Sequence, residues 1–360
     1  IFRMSDTHTT ANIPKIGLEL EGCVTTCHKE MTRKAIPGKL EDHLKTKFTA
    51  DELGFELYDF YTGAYNRFEM KSEPSGDVMD AVMSLSECIE DVQYQTAKFY
   101  RAQYQERIIS DDPKGSLLNQ RMMFSGMPPD GNLMSGEAYT SGLHIHAELP
   151  EAERKDVAER ITPYTTVLAG LTLSSPFGNC MAEQYSTRLM FITESQPGIN
   201  SREEHNAFRM NHLKNNEQRR AMPRPDTLEL TLCDSTSDPR AIAATAAIYQ
   251  ALVMKARQGD MEAERQKWCG VEPQIKQLAY QGYEESFNWK GHQAMFPEMV
   301  DDVLREVRPQ LEQCGTVEVS EYARHIALGH TCAHKQKQIS QDFIAYKMKS
   351  LGDFDKDMPD

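Results

Sequence analysis

Near the start of the chain a short stretch has apolar residues at every second position. In "GLELEG" (17–22) Leu18 and Leu20 alternate with Glu19 and Glu21. A strand sends successive side chains to opposite faces, so the two glutamates share one side and the two leucines the other. The spacing predicts a strand over 14–24, opened by Pro14. It predicts aromatic-rich strand pieces within 54–74, split by Gly63 and closed by Pro74. From Asp77 the period lengthens. Val78, Met79, Val82, Met83, Leu85, Ile89 and Val92 fall at helical spacing, with Asp77 as N-cap. Residues 112–139, rich in Pro, Gly, Asn and Met, read as a long loop with "GMPPDGN" as its clearest turn. "GLHIHAEL" alternates as a strand, 151–169 reads as a helix, and "LTLSSPFGN" leads out of it. "DTLELTLCD" is another strand, and "DPRAIAATAAIYQALVMKARQGD" an Ala-rich helix ended near Gly259. The remainder is helical in period, notably "PEMVDDVLREVRPQLEQCG" and "SEYARHIALGHTCAHKQKQISQDFIAYKMKS".

Strands thus dominate the early and middle chain, long helices separate them, and helices cluster at the end. This does not match the regular alternation of a doubly wound fold. An α+β arrangement, with helices packed on a largely antiparallel sheet, fits better. The 360 residues suffice for a large core, and 39% hydrophobic with 26% charged residues is ordinary for a globular protein. The formal net charge of −14 argues against non-specific nucleic-acid binding, which needs Lys and Arg against phosphates. It leaves ATP open, because a bound cation reverses the field of a cleft. No apolar run approaches the ~20 residues of a membrane helix. The first residues lack the apolar stretch of a signal peptide, and Met4 before Ser5-Asp6 reads as a native start. The eight cysteines are scattered, which suits reduced thiols in a cytoplasmic protein.

Four strand segments carry polar residues where a half-buried strand is usually quiet. They are Glu19 and Glu21; Glu69, with Glu73 beyond; His144 and His146, two apart; and Glu229 in "TLEL". Any one alone reads as a solvated sheet face or as satisfied core histidines. Together they cannot all lie buried and unpaired, since an isolated buried charge costs several kcal/mol. Hard cations, Mg²⁺ or Mn²⁺, resolve the conflict; a zinc site would draw more on Cys and His. "CVTTCH" (Cys23, Cys27, His28) and "HIALGHTCAH" (His325, His330, Cys332, His334) have poor zinc spacing. "RMMF" (Met122, Met123, Phe124) has core as its default meaning.

The ordered set "GLELEG", "FEMKSEP", "GLHIHAEL", "LSSPFGN…STR" and "DTLELTLCD…AIAATAAI" resembles the glutamate–cysteine ligase and carboxylate–amine ligase family of the glutamine synthetase fold superfamily. The resemblance covers roughly 14–256, with 257–350 as a helical C-terminal part of the same domain. It implies an antiparallel sheet forming a metal-lined funnel, and ATP-dependent joining of a carboxylate to an amine through an acyl phosphate. It implies small-molecule acid and amine substrates, with ATP and Mg²⁺ or Mn²⁺ as cofactors; charge and hydropathy set aside nucleic-acid and membrane partners, and a homo-oligomer is left open. By motif, Glu19, His144 and Glu229 resemble ligands of the metal bridging the nucleotide phosphates, and Glu21 and Glu69 ligands of the metal nearer the substrate. Glu69 also stands among the catalytic residues. Asp59 and Glu73 are less secure, and His146 and Arg224 would contact nucleotide or hold a ligand in place. The family has an arginine two residues after the fourth-strand glutamate; this chain has Thr231. Arg188, in "STRLM", matches another family arginine and is the first candidate to supply that charge, with Arg224 second. The residues themselves also fit a metal-dependent hydrolase or a non-catalytic nucleotide-binding relative.

Overall fold

The structure, a computed structural model, describes residues 13–25, 42–49, 52–58, 65–111, 121–123, 142–174, 185–186, 188–189, 222–223, 227–236, 238–259, 261, 268–335 and 338. Its main sheet contains strands β1 (Ile16–Thr25), β2 (Leu53–Tyr58), β3 (Tyr65–Lys71), β4 (Arg121–Met123), β5 (Gly142–Glu148), β6 (Met222–Pro223) and β7 (Thr227–Asp234). All pairings are antiparallel, in the order β2-β3-β1-β5-β7-β6, with β4 also on β1. The four polar-bearing strands read from the sequence are therefore consecutive neighbours, β3-β1-β5-β7. β4 corrects the reading of 112–139 as loop throughout: three of its residues pair with Cys23–Thr25.

Alternation divides the sheet into two chemically different faces. Ile16, Leu18, Leu20, Met70, Leu143, Ile145, Leu228 and Leu230 are buried on the apolar face. Helix α1 (Val78–Asp111) packs there, its start fixed by Asp77, whose Oδ1 accepts the Met79 N–H at 2.8 Å. Helix α2 (Glu151–Ile161) gives way to a 3₁₀ turn at Thr162–Tyr164 and then α3 (Thr165–Gly170). The single helix expected over 151–169 is broken because Pro163 cannot donate a backbone hydrogen bond.

Helix α4 (Pro239–Gln258) is buried nearly all round, which explains its alanine content: it lies between the sheet and further helices. Asp238 caps its start by accepting the Arg240 N–H, and Gly259, at φ 78°, ends it in the left-handed conformation. Tyr249 donates to the Leu228 carbonyl, and Gln250 Nε2 to the carbonyls of Pro14 and Gly76, so the helix is bonded to the sheet as well as packed on it. Beyond α4 follow α5 (Trp268–Gln281), a hairpin of β8 (Phe287–Trp289) and β9 (His292–Ala294), α6 (Phe296–Glu306), α7 (Arg308–Cys314) and α8 (Val317–Ala327). The hairpin interrupts the helical run read from the sequence. Its turn residues Lys290 and Gly291 both have positive φ, 47° and 84°, which suits a tight two-residue connection. The expected helix over 297–315 is divided at Val307, two residues before Pro309, which cannot donate a backbone hydrogen bond and sits in the first turn of the second helix. α7 and α8 pack on α4, and one apolar cluster runs from Ile16 to Ala333. Among the described residues no helix is long and apolar enough to cross a membrane.

Candidate active site

The opposite face of the same four strands holds the polar residues. Register places Glu21 beside Glu69, and Glu19 between Lys71 on β3 and His144 on β5. On the far side of β5, His146 lies opposite Glu229. Between Leu143 and Ile145 the pairing shifts by one residue, so Thr231 and Leu232 of β7 together oppose His144. This bulge reverses the alternation of β7 beyond it, and Asp234, paired with Gly142, joins the face of Glu229.

The side-chain donors converge. His144 Nδ1 is 3.6 Å from Glu19 Oε2, 3.7 Å from Glu69 Oε1 and 3.5 Å from Glu229 Oε1. His146 Nε2 is 3.2 Å from Glu19 Oε2 and 3.9 Å from Glu229 Oε1. Two sets, Glu19 with Glu69 and His144, and Glu19 with His146 and Glu229, each place three ligand atoms within 4.8 Å of one another. Each offers two carboxylates and one imidazole, and Glu19 is common to both. Ligand atoms ~2.1 Å from a small cation in octahedral geometry lie roughly 3 Å apart, so modest contraction would close either set. The set is oxygen-rich, which suits a hard divalent cation.

His146 adds an independent sign of fit. Its Nδ1 is 3.0 Å from Thr227 Oγ1, which orients the ring. Its Nε2 is buried without a hydrogen-bond partner among the described residues, although Glu19 Oε2 is close. A nitrogen lone pair facing two carboxylates is unfavourable unless a cation or proton lies between them.

Electrostatics follow the geometry. Burial opposes ionisation of Glu19, but His144 and His146 outweigh it and hold its carboxyl well below the usual range. Glu69 moves the other way, raised first by burial and then by the charge of Glu19. Lys71 Nζ lies 3.5 Å from Glu19 and 3.6 Å from Glu69. Burial works to lower the Lys71 pKa, and the two glutamates raise it on balance. Lys71 was missed in the sequence, although it stands two residues beyond Glu69 and so shares its face.

Glu21 lies in neither donor set. It is 3% exposed, and its Oε2 accepts the Gly142 N–H at 2.6 Å with Arg188 Nη1 at 3.4 Å. Arg188 Nη2 donates to the Thr231 carbonyl at 2.9 Å and is 3.3 Å from His144 Nε2. The guanidinium therefore reaches the backbone of Thr231. Glu73 is exposed beyond β3, its backbone N–H bonded to Ser84, and belongs to neither set. Asp59 and Arg224 lie outside the described residues, as do Cys27 and His28. At the C-terminal end His325 stacks on His330 at 4.2 Å, and the His334 ring packs near Tyr185 and Tyr283 at 4.7 and 4.8 Å.

No family model matches the chain. Among curated proteins, one of Rhodococcus jostii (strain RHA1), provisionally named glutamate–cysteine ligase 2-3, is 27% identical over 247 residues. That match takes in 61% of this chain and spans 30% of the relative's length. Among solved structures, the complex between the prokaryotic ubiquitin-like protein Pup and its ligase PafA superposes with TM-score 0.52 at 12% identity, over 94% of this chain and 69% of that one. A second, the Pup ligase PafA in complex with ADP, gives TM-score 0.49 at 12% identity, over 88% and 69%. At such identities the first likeness shows a shared α+β fold. The chain resembles the glutamate–cysteine ligase and carboxylate–amine ligase family, in sequence through the Rhodococcus protein and in fold through a ligase structure.

Proposed function

We propose that this chain is an ATP-dependent carboxylate–amine ligase that forms an amide through an acyl phosphate and releases ADP and phosphate. The observation that carries this reading is the pair of donor sets sharing Glu19 on four adjacent antiparallel strands, with a buried arginine at their edge. Names of similar proteins support the ligase class. Glu19, Glu69, Glu229, His144 and His146 would hold Mg²⁺ or Mn²⁺ in a metal-lined funnel. A cation held by these residues would neutralise nucleotide phosphates and so let an anionic carboxylate approach them. Arg188 contributes fixed positive charge for the transferring phosphoryl group, whose equatorial oxygens stay negative through the transition state. Lys71 balances Glu19 and Glu69 beside it. Glu21 anchors Arg188 and fixes its direction. The amine must be neutral to attack, which requires a carboxylate base near it. We read 257–350 as part of the same domain as 14–256, supported by the single apolar cluster spanning both.

The test is a screen of purified protein with ATP, Mg²⁺ and pooled acids and amines, followed by ADP release and mass spectrometry. The expected product has the mass of acid plus amine less water, formed only with ATP. Nucleotide-independent amide hydrolysis would point instead to a hydrolase. Mg²⁺-dependent ATP binding without turnover would point to a non-catalytic relative.

A further inference from the structure

A set of buried groups outside the donor array converges on Arg188. Asp234, 1% exposed at the end of β7, accepts the Ser174 N–H at 2.9 Å and the Ser186 hydroxyl at 2.8 Å. Its own N–H donates to Thr172 Oγ1 at 3.1 Å. Ser186 Oγ in turn accepts the Leu189 N–H at 3.0 Å, so one hydroxyl ties the turn carrying Arg188 to the end of β7. From the other side, Gly142 leaves the space the guanidinium fills. A Cβ there would lie 2.4 Å from Arg188 Cζ and 2.5 and 2.8 Å from its terminal nitrogens. The obstructing atoms are the far end of a flexible side chain. A methyl group would therefore be accommodated by moving the guanidinium rather than the backbone.

We propose that Asp234, Ser186 and Gly142 are positioning residues for Arg188. Asp234 and Ser186 fix its backbone turn, and Gly142 fixes where its guanidinium lies, at the junction of Glu21, His144 and Thr231. An anion bound at the donor array meets the arginine there only while both constraints hold. An aspartate serving the fold alone would affect Arg188 no more than any other arginine. A positioning aspartate acts on Arg188 selectively, through Ser186.

The inference rests on the ligase reading for its turnover arm only. The full chain, free of metal and nucleotide, is treated with phenylglyoxal, and adduct formation at each arginine is followed by peptide mass spectrometry. Gly142→Ala and Ser186→Ala are compared with the parent after circular dichroism and thermal melting show them folded. Each substitution should raise the modification rate at Arg188 by about tenfold, on the scale of one lost buried hydrogen bond. Arg257, paired with Glu153 elsewhere, should react at an unchanged rate. In the turnover arm, Gly142→Ala should lower kcat by about tenfold and change the KM for ATP by less than about threefold. In an Arg188→Ala background it should add no further loss, because nothing is left to displace. Unchanged Arg188 reactivity in folded variants, or additive losses in the double variant, would overturn the proposal. If the parent turns over no ATP with any acid and amine, only the ligase reading falls, and the reactivity arm still decides the positioning.

Discussion

Replacing Glu69 by glutamine should make the metal-free protein more stable and the metal-bound protein comparatively less so. Ligand atoms of Glu19, Glu69 and His144 lie within 4.8 Å of one another. Two unit charges at that separation repel by about 3.5 kcal/mol at an effective dielectric constant of 20. Solvent and a neighbouring cation screen this repulsion. Both side chains are about one-fifth exposed, and Lys71 lies 3.5 Å from one and 3.6 Å from the other. The raised pKa of Glu69 gives the sign: burial and Glu19 together disfavour its ionised form in the folded state. An uncharged isostere should therefore stabilise the metal-free chain, by roughly 1 kcal/mol after screening. For a chain of this size that is a rise in Tm of about 2 °C. With Mg²⁺ at about a hundred times its Kd, the parent should gain roughly 2.7 kcal/mol, and the variant, lacking one ligand charge, much less. The assay is thermal unfolding by fluorescence in EDTA and across a Mg²⁺ series. A variant less stable than the parent in EDTA, with the same Mg²⁺ shift, would refute both the crowding of like charges and the place of Glu69 in the cation site.

Three further outcomes are expected. Arg188→Ala should reduce kcat far more than it raises the KM for ATP, and Arg188→Lys should restore only part, because a single ammonium nitrogen does not reproduce the planar fork that reaches Glu21 and the Thr231 carbonyl from two nitrogens; steady-state kinetics decide this, and an effect confined to the KM of the acid would make Arg188 a substrate clamp. Thr227→Val removes the oxygen 3.0 Å from His146 Nδ1 and should weaken Mn²⁺ binding about tenfold in calorimetry, whereas unchanged affinity would show that Thr227 does not orient the ring. Asp238→Ala should cost about 1 kcal/mol by loss of the α4 cap. Burial works against the Asp238 charge, but the Arg240 N–H and side chain hold its pKa below the ordinary value. Its folded-state pKa being the lower one, the contribution is present above the unfolded value and fades as pH falls through the folded one. The parent and variant should thus differ in Tm at pH 7 and converge in strong acid, and a constant gap would argue against an ionic cap.

Period-two alternation carried the sequence reading as far as the donor array. Glu19, Glu69, His144, His146 and Glu229 can each be assigned to the polar face of a strand because apolar residues stand immediately before and after each of them. The same rule misses Asp234, five residues beyond Glu229 and thus on the opposite face of a regular strand. The extra residue at Thr231–Leu232 turns it back, and no local signal in "ELTLCD" announces a bulge. Glu21 shows a different limit. Alternation puts it beside Glu19, but its bonds to Gly142 and Arg188 depend on residues 121 and 167 positions away in the chain. Lys71, two residues beyond Glu69, is legible by the same alternation. The helices over 151–169 and past Gly259 are legible in type but not in extent, because Pro163 divides the former, Pro309 divides one of the latter, and a two-residue turn at Lys290–Gly291 makes a hairpin among them.

The most direct test of the central claim is the fate of a carboxylate oxygen. An acid found in the screen is labelled with ¹⁸O in its carboxylate and incubated with the protein, ATP, Mg²⁺ and its amine, and the released nucleotide and phosphate are analysed by mass spectrometry. Attack of the carboxylate on the γ-phosphorus followed by displacement by the amine predicts ADP, with one ¹⁸O carried into each phosphate formed. Label in AMP, or amide formation with unlabelled phosphate, would contradict an acyl phosphate at this site.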